Sequence, residues 1–95
     1  PTIFGLLRQQ RPQSHIAIIH DWDGFGRMVE KAAPDHLRHV KGSPAATDAA
    51  VTYWREHKPD LLFLHLDDVD HAGHDHGWWG AEYKAAVEMI DALIG

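Results

Sequence analysis

The 95-residue chain contains no cysteine. Disulfides, thiolate metal sites and cysteine nucleophiles are therefore excluded, although this absence does not fix a compartment. No cluster of basic residues is present either, and the formal net charge is −5 with histidine neutral. Both facts argue against a nucleic-acid-binding surface built on phosphate neutralisation. No apolar run approaches the roughly 18 residues that a membrane span needs. No secretory leader is visible, but the chain opens on Pro1 rather than methionine, so this says little about export. Repeats and low-complexity segments are lacking as well. Neither Ser14 beside His15 nor Ser43 has the context of a nucleophile elbow. Thr47 and Thr52 belong to a helical pattern that explains them without chemistry.

Histidine is what the chain has in excess. There are nine, and His65, His71, His74 and His76 fall within twelve positions. The stretch "LDDVDHAGHDHG" (66–77) adds Asp67, Asp68, Asp70 and Asp75 to the last three of these. Without thiolates, any metal site must use imidazole and carboxylate, a donor set that suits zinc, manganese or iron.

The remaining sequence alternates between helical and strand patterns. Residues 2–10 place Ile3, Leu6 and Leu7 on one helical face, with Thr2 as N-cap and Pro12 beyond the end. "HIAIIH" (15–20) is a short β-branched run and is predicted as a strand. Asp23 is suited to cap a helix in which Phe25, Met28, Val29, Ala32 and Ala33 share a face, stopped by Pro34. "LRHV" (37–40) is a short candidate strand. A further helix begins near Ser43 or Thr47 as cap, with Pro44 in its first turn and Ala46, Ala49, Ala50, Tyr53 and Trp54 as its apolar face. After the turn "KPD", the run "LLFLHL" (61–66) is almost continuously apolar and reads as a strand buried on both faces. Residues 67–77 are expected to form a loop. A last helix from about Gly80 carries Tyr83, Val87, Ile90 and Ile94 on one side. This order predicts an α/β fold with a mostly parallel sheet covered by helices, in which ligands bind beyond the carboxyl ends of the strands. Residues 67–77 occupy such an end.

Acidic and histidine residues in a loop are usually solvated surface. Spacing singles out Asp70 and His74, with Gly73 before the histidine to allow a sharp turn and to remove bulk beside a ligand. A carboxylate and a neutral imidazole could meet one ion at roughly 2.0–2.2 Å, but a catalytic zinc takes about three protein ligands and an open position. His71 and His76 are candidates to complete a local site, and Asp67 and Asp68 to orient ligating imidazoles. His65 is expected in the sheet core or against a helix. Trp78 and Trp79 are candidates either to line a substrate pocket or to cover the sheet end.

With "KPDLLFLHLDDVDHAGHDHG" followed by "EYKAAVEMIDALIG", the chain resembles the type I phosphodiesterase/nucleotide pyrophosphatase branch of the alkaline phosphatase superfamily. The shared pattern is a buried strand, an Asp-x-x-Gly-His motif, a glycine, and a helix bearing a tyrosine and a late aspartate. The upstream helix and the strand ending near Trp22 are similar too. The resemblance implies part of a three-layer α/β/α sandwich built around two metal ions, usually zinc. Asp70 and His74 match ligands of one metal. His71 lies at a variable position, and Asp91 matches a late aspartate read as structural. The resemblance places the hydroxyl nucleophile and the remaining metal ligands outside residues 1–95, so the chain is expected to be one segment, an internal fragment of a larger catalytic domain, inactive alone and prone to self-association.

The implied activity is metal-dependent hydrolysis of a small-molecule phosphate ester. Attack by a threonine or serine on phosphorus would give a covalent intermediate, released by water. Two ions roughly 3.5–4 Å apart clamp the attacking and leaving oxygens in such chemistry. Sulfatases and phosphatases of the same superfamily are alternatives. So is a non-catalytic His-rich metal-binding or interaction module, which would account for the histidines by itself. An extracytoplasmic location accords with the resemblance, and the compartment is otherwise open.

Overall fold

The structure, a computed structural model, describes residues 2–95. In chain order they form α1 (Ile3–Gln10), β1 (Ile16–His20), a 3-10 segment (Asp23–Met28), β2 (His36–His39), α2 (Ser43–His57), β3 (Leu61–His65), α3 (Asp68–His76) and α4 (Ala81–Ile94). The described strands make one parallel sheet in the order β2-β1-β3. Ile18 of the central strand pairs with Leu37 on one side and Phe63 on the other.

Alternation along β1 sends side chains to both faces, and both are covered. Ile16 and Ile18 join Phe4 of α1 and Val29 and Ala33 from the segment before β2, with Leu61 and Phe63 beside them. Ile19 faces Ala46 and Ala50 of α2, with Leu62 and Leu64 alongside. Helix–sheet–helix is therefore the layer order, and the fold is the expected α/β type. Ile16, Ile18 and Ile19 are completely buried, each contributing about 1.5–3 kcal/mol relative to exposure.

Arg8 ties the first layer to the sheet. Its guanidinium donates to the carbonyls of Ala33, Pro12 and Ser14 and to the Asp35 carboxylate, all at 2.7–2.9 Å. Asp35 also accepts from the Ile16 amide at 2.8 Å, which fixes the entry to β1.

Several local expectations change. The face of α1 that meets the core carries Phe4 and Leu7, while Ile3 and Leu6 are exposed; Phe4 packs edge-on against Phe63 at 5.3 Å. The predicted helix over 23–33 is only the 3-10 segment, and Val29 already has extended backbone. Two glycines within four residues disfavour an α-helix there. The tighter path instead lays Phe25 flat on Phe63 at 5.3 Å. Neither Ser43 nor Thr47 caps α2: its N-cap is Gly42 at φ 93°, because the Ser43 hydroxyl is engaged elsewhere. Trp54 points to solvent. The strand buried on both faces is β1, not β3, which is half-buried throughout because it lies at the sheet edge. No residue of α4 is fully buried, and Val87 and Ile94 are exposed. Finally, 67–77 is mostly helix rather than loop.

Two outcomes are expected. Among the described residues no strand pairs with the outer edge of β3, and "LLFLH" has none of the charges or prolines that blunt free edges. Residues 1–95 expressed alone should therefore associate, and a monodisperse monomer in sedimentation velocity would contradict this. Separately, His36 stacks on Tyr53 at 4.3 Å. Burial, then the charges of Arg38, His57 and His15, hold its pKa below the ordinary value. The folded chain thus binds fewer protons than the unfolded one, and stability falls as pH drops below about 6.5. His36→Phe, which keeps the stacking, should flatten the fall in urea midpoint between about pH 7.5 and pH 5.

Candidate functional site at the carboxyl ends of the strands

Because the described strands are parallel and in register, their carboxyl ends lie side by side. His20 ends β1, His39 ends β2 and His65 ends β3. His20 and His39 stack at 5.4 Å, and Phe25 stacks on His65 at 5.2 Å. The buried His20 turns Nδ1 toward the Trp22 carbonyl at 2.9 Å. The Nδ1 of His65 is buried without a hydrogen-bond partner.

Asp21 knits this end together. Its carboxylate accepts from the Gly42 amide at 2.6 Å, the Ser43 hydroxyl at 3.1 Å and the Asp67 amide at 3.1 Å. Its backbone N–H donates to the His65 carbonyl at 3.0 Å, and its carbonyl accepts from His39 Nε2 at 2.7 Å. Burial alone would raise its pKa, but hydrogen bonds from Gly42, Asp67 and Ser43 outweigh it and hold the carboxyl below the usual range.

Helix α3 starts immediately beyond β3. Asp68 and Asp70 sit in its first turn and His74 and His76 in its last, the distribution that complements a helix dipole. Helical geometry makes residues four apart neighbours. His74 Nε2 stands 3.4 Å from Asp70 Oδ2, and His71 Nε2 stands 2.8 Å from Asp75 Oδ2. The second distance is that of a direct charge-assisted hydrogen bond. The first is longer. Two ligands bound tetrahedrally at about 2.1 Å stand about 3.4 Å apart, so Asp70 and His74 fit two positions around a zinc-like ion. Both side chains are well exposed, 61% and 69%. Among the described residues no group of three or more His, Asp or Glu is placed to hold an ion. The described residues thus bring two candidate donors together and not a third.

Gly73 does not serve a turn, since it lies within α3. Its second expected purpose, removal of bulk, does apply. A Cβ there would overlap the ring of Trp78, which packs edge-on to His74 at 5.2 Å and to Tyr83 at 5.7 Å. Trp78 therefore braces the junction of α3 with α4.

Two clefts open on this surface. One, of about 460 Å³, is lined by residues that include Asp21, Trp22, His39, Lys41, Asp67 and His71. The other, of about 530 Å³, is lined by Trp22, His65, Leu66, Asp67 and His71 together with the Asp70–His74 pair. Asp67 borders both. Burial, then the negative charges of Asp21 and Asp70, push its pKa up. Asp68 borders the first cleft, and its amide reaches the Ser43 hydroxyl at 3.4 Å. His76 and Trp78 line neither cleft; Trp22 is the aromatic side chain common to both. Sequence reasoning passed over Asp21, Trp22 and His39. The signal that could have found Asp21 and Trp22 is the rule already applied to β3: "DWD" follows the end of β1 just as "LDD" follows the end of β3.

A family model described as "Type I phosphodiesterase / nucleotide pyrophosphatase" matches residues 10–95. The chain belongs to this family. The family is a branch of the alkaline phosphatase superfamily, whose sandwich core accords with the parallel sheet and its two helical layers. No curated protein sequence and no solved structure matches the chain significantly. In this phosphodiesterase-family chain, the matched stretch contains α3 whole, and with it Asp70, Gly73 and His74.

Gly73→Ala should push the Trp78 indole out of its place against His74. The expected signature is a red-shifted tryptophan emission that is absent in a Trp78→Phe background.

Proposed function

We propose that the chain is part of a metal-dependent phosphoesterase in which Asp70 and His74 ligate one divalent ion, most naturally zinc. The observation that carries this reading is their 3.4 Å separation on one face of α3, at the carboxyl end of a parallel strand, in a member of a phosphodiesterase family. Asp70 offers carboxylate oxygen and His74 offers Nε2. Helical spacing brings both side chains to one face of α3. Trp78 limits the rotation of the His74 ring. Asp67, whose pKa burial and the charges of Asp21 and Asp70 raise, borders the same cleft. When bound, the ion supplies Lewis-acid polarisation of a phosphoryl oxygen and acidifies a water. The second ion of a two-metal site, the further ligands and the hydroxyl nucleophile are assigned to residues other than 1–95.

The substrate class that fits is a small phosphate ester. The adjoining cleft, which shares Trp22, Asp67 and His71 with that of the Asp70–His74 pair, adds Lys41 as a cationic contact and His39 as an aromatic one. A self-contained His-rich metal module is less well supported. His71 is already held by Asp75, and no three donors converge among the described residues.

The test is turnover of a chromogenic phosphodiester by the intact protein. Chelation should abolish it and zinc restore it. Asp70→Ala and His74→Ala should each lower kcat/KM by at least about 100-fold, the upper end of what loss of a mere supporting residue costs. Turnover that survives chelation, or is unchanged in Asp70→Ala, would refute the proposal.

A further inference from the structure

We infer that Asp21 is the positioning residue for the Asp70–His74 pair; this rests on the metal-ligand reading above. Helix α3 does not fix its own start. Its N-cap, Asp67, makes no side-chain capping bond. What holds its first turn lies outside the helix: the Asp67 amide donates to Asp21 Oδ2 at 3.1 Å, and the Asp68 amide donates to Ser43 Oγ at 3.4 Å. Ser43, itself fully buried, donates that hydroxyl's proton to the same Asp21 oxygen. The other carboxylate oxygen takes the Gly42 amide at 2.6 Å.

One side chain therefore joins the β2–α2 turn to the β3–α3 turn. Its backbone joins the ends of the strands through His39 and His65. Asp70 follows Asp67 by three residues, less than one helical turn. Where Asp21 holds Asp67 decides where Asp70 and His74 stand relative to the sheet. The requirement for a carboxylate is chemical. The Gly42 amide, the Ser43 hydroxyl and the Asp67 amide all donate to Asp21, and only an acceptor on both oxygens satisfies these three. An amide at this position would turn an N–H toward either the Gly42 amide or the Ser43–Asp67 pair.

The discriminating experiment measures zinc affinity of the intact, metal-stripped protein by competition with a chromophoric chelator, alongside phosphodiester turnover at increasing zinc. Asp21→Asn is expected to weaken zinc binding by about 10–100-fold, the usual effect of losing a group that orients a ligand, while turnover recovers at high zinc. Val29→Ala, a remote core truncation, should lower the melting temperature and leave zinc affinity unchanged. A folded Asp21→Asn protein that binds zinc within about twofold of the parent would overturn the inference, being far short of that usual loss. If Asp21→Asn does not fold, Ser43→Ala decides. It keeps the carboxylate and removes the hydroxyl bridge, and a several-fold weaker affinity supports the inference whereas an unchanged one overturns it. Failure of the underlying reading looks different: Asp70→Ala and His74→Ala would then bind zinc as the parent does.

Discussion

A parallel sheet must be covered on both faces, and β1 is where this chain meets that constraint. Ile16 and Ile18 bury themselves under α1 and the segment before β2, Ile19 under α2. Backbone pairing on both sides then fixes β2 and β3 in the same direction. The consequence is not only stability. Parallel pairing brings the carboxyl ends of the described strands to one edge, so residues far apart in sequence (His20, His39 and His65) become neighbours. Everything polar at that edge exists because apolar packing beneath it holds the strands in register.

The polar edge is in turn organised around a buried charge. Leaving the Asp21 carboxylate out of water is costly unless its acceptor capacity is filled. Here two amides and a hydroxyl fill it, each from a turn that follows a neighbouring strand. The stabilisation is mutual. The carboxylate satisfies part-buried backbone donors that no secondary-structure ladder reaches, and those donors keep it ionised. Helix α3 leaves the sheet from this arrangement. Its exposed face then presents Asp70 and His74 to solvent at a spacing suited to a shared ion, while Trp78 packs beside them against Gly73 and the edge of His74. The ion pairs on that face add little to stability at such exposure, so their geometry matters for ligand presentation rather than for folding.

Much of the architecture was readable from local patterns. β-branched density marked β1, the alternation of element types marked α/β, and the Asp-x-x-Gly-His run in its strand context pointed to the family. The misses share a physical cause. Amphipathic spacing at 25, 28, 29, 32 and 33 looked helical, but glycines at 24 and 26 and the stacking of Phe25 on Phe63 gave a 3-10 turn and extended chain. Residues 67–77 looked like a loop because they are polar. They are helical in a segment whose first turn is held from outside by Asp21 and Ser43, with acidic residues in that turn to complement the helix dipole. Leu61–His65 looked doubly buried, since an apolar run does not reveal whether its strand is central or at an edge.

The sequence by itself determined which side chains could do chemistry and which runs had to be buried, because composition and short-range spacing decide donor type and hydrophobic demand. Asp70 and His74 were singled out on those grounds, by donor type and spacing about Gly73, in a stretch expected to be a loop. Only the tertiary structure decided that Asp21, nearly fifty residues upstream by the separation of 46 between it and Asp67, reaches the start of the helix that carries them. No local pattern encodes such a contact. It follows from the pairing of β1 with β3, which is set by burial across the whole sheet.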